Sequence, residues 1–238
     1  MTEAISDIWK VIGEDVLHYL KEKNVKCILA HGSFAEGIAN KNSDFDLLAI
    51  CDERVKEGED VFSIGRIEVN ITFMHEETLL KQMDSLEDLL KPNNLGQAIP
   101  MVCRLRNAVI VFDYENTGKR IVEFVRKFHS SENLIDIYSK CGLNYYYDAV
   151  GAFVSGNYDA SVHMARIGAL QVMTGILLEC GELYVKQKWY TELARKMPCT
   201  LREMFLKLMG LDTVDKEQAQ QSIQGLNDLI QEFQRLRE

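Results

Sequence analysis

The chain has 238 residues, 47% of them hydrophobic and 26% charged, and a formal net charge of −9 at pH 7. That length and apolar content suffice for a substantial core in one large domain or two small ones. The acidic balance argues against a sequence-independent grip on nucleic acid, which depends on Lys and Arg neutralising phosphates.

Ile5, Ile8, Trp9, Ile12, Val16 and Leu20 recur at helical spacing and predict an opening helix to about Glu22. Glu3 and Asp7 within it leave no hydrophobic signal region, so nothing here directs secretion. Lys26 to Ala30 reads as a buried strand running into His31-Gly32-Ser33. Phe34 to Ile38 reads as a short helix, Ala39 to Ser43 as a polar turn, and Phe45 to Cys51 as the next strand. Val61 to Ile64, then Gly65 and Ile67 to Phe73, predict a hairpin. Glu76 to Leu90 looks helical until Pro92-Asn93-Asn94 and Gly96 break the pattern, and Ala108 to Phe112 reads as a strand. An α/β sandwich with a short mixed sheet accounts for this half.

From about Gly118 helical periodicity takes over, which sets a boundary near His129 to Asn133 and two domains, 1–128 and 129–238. Asn133 to Ser155 forms one helix, and Gly156-Asn157 supplies a break and a cap for a second, Ala160 to Cys180. The second is apolar almost all round, which predicts the centre of a bundle. Its most apolar part, Val162 to Leu178, contains His163, Arg166 and Gln171 and is too short and polar to span a bilayer. Trp189 to Lys196 and Leu201 to Met209 follow, and Ile223, Leu226, Ile230 and Phe233 mark an amphipathic final helix. Six cysteines, at 27, 51, 103, 141, 180 and 199, show neither Cys-x-x-Cys nor Cys/His ligand spacing. They read as reduced core residues of a cytoplasmic protein, without a zinc site.

The chemistry concentrates between residues 30 and 70. A strand projects alternate side chains to one side, so Asp44 and Asp46 share a face while Phe45 and Leu47 point into the core. Ionised groups in an otherwise apolar strand are costly unless something binds them. Hard divalent ions such as Mg²⁺ take oxygen ligands and leave positions for water and substrate phosphate, so two or three protein carboxylates suffice. Glu68, in Arg66-Ile67-Glu68-Val69-Asn70, is the third. The Gly32-Ser33 turn offers backbone N–H groups and a hydroxyl to phosphates, and Gly32 lets the chain come close because it has no side chain.

Ala30-His31-Gly32-Ser33, Ser43-Asp44-Phe45-Asp46-Leu47 and Arg66-Ile67-Glu68-Val69-Asn70-Ile71 together resemble the signature of the polymerase-beta-type nucleotidyltransferase superfamily. Its small-molecule members include the kanamycin and lincosamide nucleotidyltransferases, and the Glu-Val-Asn strand is most similar to the kanamycin branch. The signature covers about residues 26–73; the rest matches in layout, a helical bundle domain following a nucleotidyltransferase-fold domain. The resemblance implies transfer of a nucleoside monophosphate from Mg-NTP to a hydroxyl, or less often a phosphate, of a small acceptor such as an antibiotic. Asp44, Asp46 and Glu68 would then hold two Mg²⁺ ions, and Gly32 and Ser33 would receive the β- and γ-phosphates. It also implies a homodimer with sites near the interface.

Beyond the signature the candidates are thinner. The kanamycin branch takes a general base from the helical domain, and by position Asp148 in Tyr145-Tyr146-Tyr147-Asp148 is the nearest acid, although a solvated helix carboxylate is the plainer reading. Lys186 and Lys188 are candidates to reach a triphosphate, although a lone Lys is usually a surface residue. His31 is read as packing or bonding locally. Asp52-Glu53, Glu57 to Asp60 and Glu76-Glu77 are either attractors of a cationic molecule or a solvated face. Two other functions stand beside small-molecule transfer: nucleotidylation of a protein or tRNA, as in toxin-antitoxin systems, and a non-catalytic nucleotide-binding module.

Overall fold

The computed structural model describes residues 3–92, 99–212 and 215. Within them five strands form one mixed sheet: β1 (Val25–Ala30), β2 (Phe45–Cys51), β3 (Gly58–Ile64), β4 (Ile67–His75) and β5 (Val109–Asp113), in the order β3-β4-β2-β1-β5. β2 and β4 run parallel, with Asp46 opposite Asn70, and the other neighbours are antiparallel. β2 has the bounds its apolar run predicts. β3 begins earlier than its apolar residues indicate, because it is an exposed edge strand whose acidic start carries no hydrophobic alternation.

Alternation gives the sheet two faces with different partners. Ile28, Ala30, Phe45, Leu47, Val69 and Ile71 face the opening helix, Glu3–Leu20, which buries Ile5, Ile12, Val16 and Leu20 against them. Cys27, Leu29, Leu48 and Ile50 face the other way, into a core that includes Leu79, Leu105, Ile121 and Val125 and continues to Leu134, Tyr138, Met173 and Leu177. One apolar core therefore runs from the sheet into the helices on both sides of residue 128.

The helical half is built on Glu132–Val154 and Tyr158–Glu179, each capped as its sequence directs: Ser131 Oγ accepts from Leu134 N at 3.1 Å and Asn157 Oδ1 from Ala160 N at 3.4 Å. They approach closely where a glycine faces an aromatic stem, Gly168 at Tyr145 and Gly175 at Tyr138. The Tyr138 hydroxyl donates to Leu90 O at 2.6 Å, tying the pair back to the first half.

Five expectations need correction. The Tyr158–Glu179 helix is buried at Met173, Thr174, Gly175, Leu177 and Leu178, but Val162 is half-exposed, so only its C-terminal half is central. By length and composition it is the one helix among the described residues that can cross a bilayer, yet that half is packed in the core. The Glu76 to Leu90 helix divides at Ser85 into Glu76–Asp84 and Leu86–Leu89, where Ser85 Oγ donates to Lys81 O at 2.8 Å and competes with the helical pattern. Trp189 to Lys196 is a succession of short turns, Gln187–Trp189, Tyr190–Leu193 and Ala194–Lys196. All six cysteines are free, but only Cys27, Cys51 and Cys103 are buried; Cys180 and Cys199 are exposed. The final helix expected around Ile223 to Phe233 lies outside the described residues, as do Asn93, Asn94 and Gly96.

The helix pairing generates a paired stability prediction. A Cβ at Gly175 would stand 2.9 Å from Tyr138 Cβ, so Gly175→Val should lower stability by about 1–3 kcal/mol through overpacking. Gly151, in the same pair, has open space around it, and Gly151→Ala should raise stability by roughly 0.5–1 kcal/mol. Urea unfolding midpoints test both; equal effects at the two positions would show that the interface is not set by these contacts.

Candidate active site

At the end of β1 the chain passes through His31, in extended conformation, into the short helix Gly32–Ala35. The turn is stitched to β2, because His31 N donates to Asp46 O at 3.0 Å. Gly32 has φ +70°, and a Cβ there would overlap the Asp46 carboxylate, with Cγ 2.9 Å away. Backbone conformation and close approach thus both require glycine. Ser33 follows, buried.

Asp46 is the second residue of β2 and lies on the face that carries Leu48 and Ile50. Asp44 precedes the strand, and its Oδ2 accepts a short hydrogen bond from Asn70 Nδ2 on β4. Burial, and then the neighbouring Asp44 charge, push the Asp46 carboxyl up to about 6; Asn70, Arg104 and Lys186 oppose this more weakly.

These acids line a cavity of about 440 Å³, together with Ser33, Asn40 and Asn42. Arg104 and the segment carrying Tyr184, Lys186, Lys188 and Trp189 supply most of the rest of the wall. Arg104 comes from the turn Met101–Leu105; one of its terminal nitrogens donates to Ile99 O at 3.3 Å, and its guanidinium stands 5.7 Å from the centre of the Tyr184 ring. Tyr184 meets Trp189 edge to face at 4.8 Å, with the Lys186 and Lys188 ammonium groups 5.4 and 5.5 Å from the Trp189 ring centre. Burial pushes Lys186 below the ordinary lysine value, reinforced by Lys188 and Arg104.

Several buried polar atoms around this cavity have no hydrogen-bond partner among the described residues: Ser33 Oγ, Arg104 Nε, Asn70 Oδ1 and both ring nitrogens of His31. Such orphans cost free energy unless a ligand or water meets them. Burial, then Arg104 and Lys186, lowers the His31 pKa to about 3, so this ring is neutral at neutral pH and adds no cation to the wall.

Of the residues singled out by sequence, Ser33, Asp44, Asp46, Lys186 and Lys188 line this cavity, and Gly32 packs against Asp46. Glu68 is exposed, two residues before Asn70 on the same face of β4, and does not line it. Asp148 is exposed on the Glu132–Val154 helix, which contributes no described residue to the lining. Among the described residues no three His, Cys, Asp or Glu side chains converge to hold an ion. The donors present, two carboxylates beside an amide, are oxygen ligands suited to Mg²⁺, and the raised pKa of Asp46 is what an opposing cation would relieve.

The acids read as attractors are largely paired: Asp60 with Tyr19 and Lys23, Asp52 with Arg54, Glu76 with Lys26 and Arg120. Arg104, Tyr184 and Asn70 were missed as site residues. The signal for Arg104 was a single cation within Met101-Val102-Cys103-Arg104-Leu105, the same anomaly that marks Asp46 in β2. Tyr184 gave none.

The family described as "Polymerase beta, Nucleotidyltransferase" matches residues 14–125, a little under half of the chain. The match takes in the whole sheet together with Gly32, Ser33, Asp44, Asp46, Glu68 and Arg104, and the fold of this region is nucleotidyltransferase-like. Among solved structures, a nucleotidyltransferase-like protein from Exiguobacterium sibiricum 255-15 is 18% identical, with a TM-score of 0.46 over 94% of this chain and 75% of that one. No curated protein sequence matches.

The electrostatics of Asp46 yield a pH-dependent prediction. Its folded pKa, about 6, lies above the ordinary 3.8, so between those values the folded protein holds a proton that the unfolded chain has lost. Stability therefore falls as pH rises from 3.8 through about 6. In chelator at pH 7.5, Asp46→Asn should be more stable than the parent by roughly 1–2 kcal/mol, after allowance for solvent screening, with the difference gone by about pH 4. Thermal scans across that range check it; a variant less stable at pH 7.5 would make Asp46 structural.

Proposed function

We propose that the chain transfers a nucleoside monophosphate from a metal-bound nucleoside triphosphate to a hydroxyl, or less often a phosphate, of a small-molecule acceptor. The observation that supports this is the composition of one cavity: two carboxylates and an orphaned serine hydroxyl share its lining with three cationic side chains. Such a cavity suits a polyanion that arrives with a divalent cation of its own.

In this reading Asp44 and Asp46 would hold the Mg²⁺, and Glu68, exposed on the neighbouring strand and outside the lining, is the candidate that would reach a second ion. When bound, the metal would neutralise triphosphate charge and lower the pKa of the attacking hydroxyl. Gly32 and Ser33 receive the β- and γ-phosphates through backbone N–H groups and the Ser33 hydroxyl. Arg104, Lys186 and Lys188 grip the same phosphates and hold the pyrophosphate as it leaves. The acceptor oxygen bonds to the α-phosphorus as the bond to the bridging oxygen breaks, and the hydroxyl proton passes to a base or to water. Asp148, exposed and away from the lining, has no part in this scheme. The Tyr184 and Trp189 rings offer flat apolar surface to a base or a sugar face. The acceptor class we put first is an aminoglycoside-like or lincosamide-like antibiotic, bound with the help of residues 129–238.

Incubation with Mg²⁺, each labelled NTP and a panel of such antibiotics, sugars, proteins and tRNA should release pyrophosphate with at least one acceptor. Asp46→Asn should lower turnover by about 100-fold or more, and Arg104→Ala should raise KM for the NTP by about 10-fold. Nucleotide binding without turnover across the panel would favour a binding module, and labelling of protein or tRNA alone would move the acceptor to that class.

A further inference from the structure

Beside the cavity lies a second set of charges that the proposed chemistry does not use. Glu36 immediately follows the Gly32–Ala35 turn, and its N–H donates to Gly32 O at 3.0 Å. Its side chain is only 2% exposed; Oε2 accepts from Asn107 Nδ2 at 2.9 Å and from Lys196 Nζ at 3.2 Å, while Oε1 is buried without a partner. The Lys196 ammonium also donates to Glu182, whose side chain is 5% exposed. The other Glu182 oxygen accepts from Tyr184 N at 3.1 Å. Lys196 itself is 38% exposed and reaches inward to both acids.

The connectivity matters more than the count of bonds. Glu36 caps the end of the turn that presents Gly32 and Ser33. Glu182 stands at the root of the segment that carries Tyr184, Lys186, Lys188 and Trp189. One ammonium therefore joins that turn to that segment. It serves two buried carboxylates, so it cannot neutralise both, and Glu36 is pushed above the usual carboxylate range by burial and then by Glu182. A hydrophobic contact at this place would tolerate sliding, whereas hydrogen-bonded charges with few alternative partners fix a distance.

We propose that Lys196 is a positioning residue for the phosphate-binding cations: by clamping Glu36 to Glu182 it sets the gap between Ser33 and the Lys186–Lys188 segment, and so the preference of the site for a triphosphate. The proposal rests on the reading of the cavity as a nucleotide site. It assigns to Lys196 no contact with nucleotide. A loosened clamp weakens those contacts that span the turn and the segment, which a triphosphate makes and a monophosphate at the Asp44–Asp46 end does not.

The test is calorimetric titration of the full chain with each Mg-NTP and with the matching nucleoside monophosphate. Lys196→Met should lose about 10-fold or more in triphosphate affinity while monophosphate affinity stays within about threefold, and Lys196→Arg should recover most of the loss. Lys196→Met leaves two buried carboxylates uncompensated and is liable to misfold. The triple variant Lys196→Met, Glu36→Gln, Glu182→Gln removes all three charges at nearly constant volume and should show the same loss in triphosphate affinity in a folded protein. If the parent binds no triphosphate, the reading of the cavity fails. If the parent binds and the folded variants bind triphosphate as tightly, or lose mono- and triphosphate equally, the clamp fails and the reading of the cavity stands.

Discussion

The arrangement of the molecule turns on the close approach of Gly32 to Asp46. An ionisable carboxylate on the inward face of a central strand is costly unless solvent or a partner reaches it, yet the strand must still pair on both sides. The missing side chain of Gly32 resolves the conflict by letting the turn lie directly against the carboxylate, while His31 N takes the Asp46 carbonyl. Asn70 supplies the remaining support from the parallel neighbour. The Gly32–Ser33 turn and the Asp44–Asp46 acids are thereby held in one unit built on the sheet.

Net charge misleads about such a site. The chain carries nine more acids than bases, yet the cavity that holds Asp44 and Asp46 is also lined by an arginine and two lysines. The surplus of acid lies elsewhere, much of it in local pairs such as Lys26 with Glu76 and Lys23 with Asp60. Overall balance governs solubility and long-range steering; the local field in a cavity is set by which few side chains the fold turns inward.

The sheet half was legible because its signals are local. β2 was readable to the residue from one apolar run, and Gly32, Ser33, Asp44 and Asp46 from their spacing along adjacent elements. The edge strand β3 was legible only in its apolar second half, since exposed positions carry no periodic demand. The apolar character of Tyr158–Glu179 overstated its burial, because composition reports what a helix can bury and not how many neighbours it finds. Lys196 and Glu36, 160 residues apart, meet only through tertiary packing, and no pattern along the chain relates them. Arg104 was recoverable by the reasoning applied to the aspartates, had a cation in an apolar run been given the weight of an anion.

The sheet's outer edge has a different character, and this matters to anyone who would instrument the protein. Asp46 sits where backbone pairing, side-chain exclusion and register converge, so a one-residue slip of β2 would turn its carboxylate to the wrong face. The β3–β4 turn, by contrast, swings around Gly65, which has φ +62° and open space about it, and β3 is bonded to the sheet on one side only. Chain inserted at that tip would lengthen a solvent-facing loop at little entropic cost and leave the parallel β2–β4 register untouched. The hairpin is therefore the natural seat for an affinity tag or an optical reporter, at the far edge of the sheet from β5.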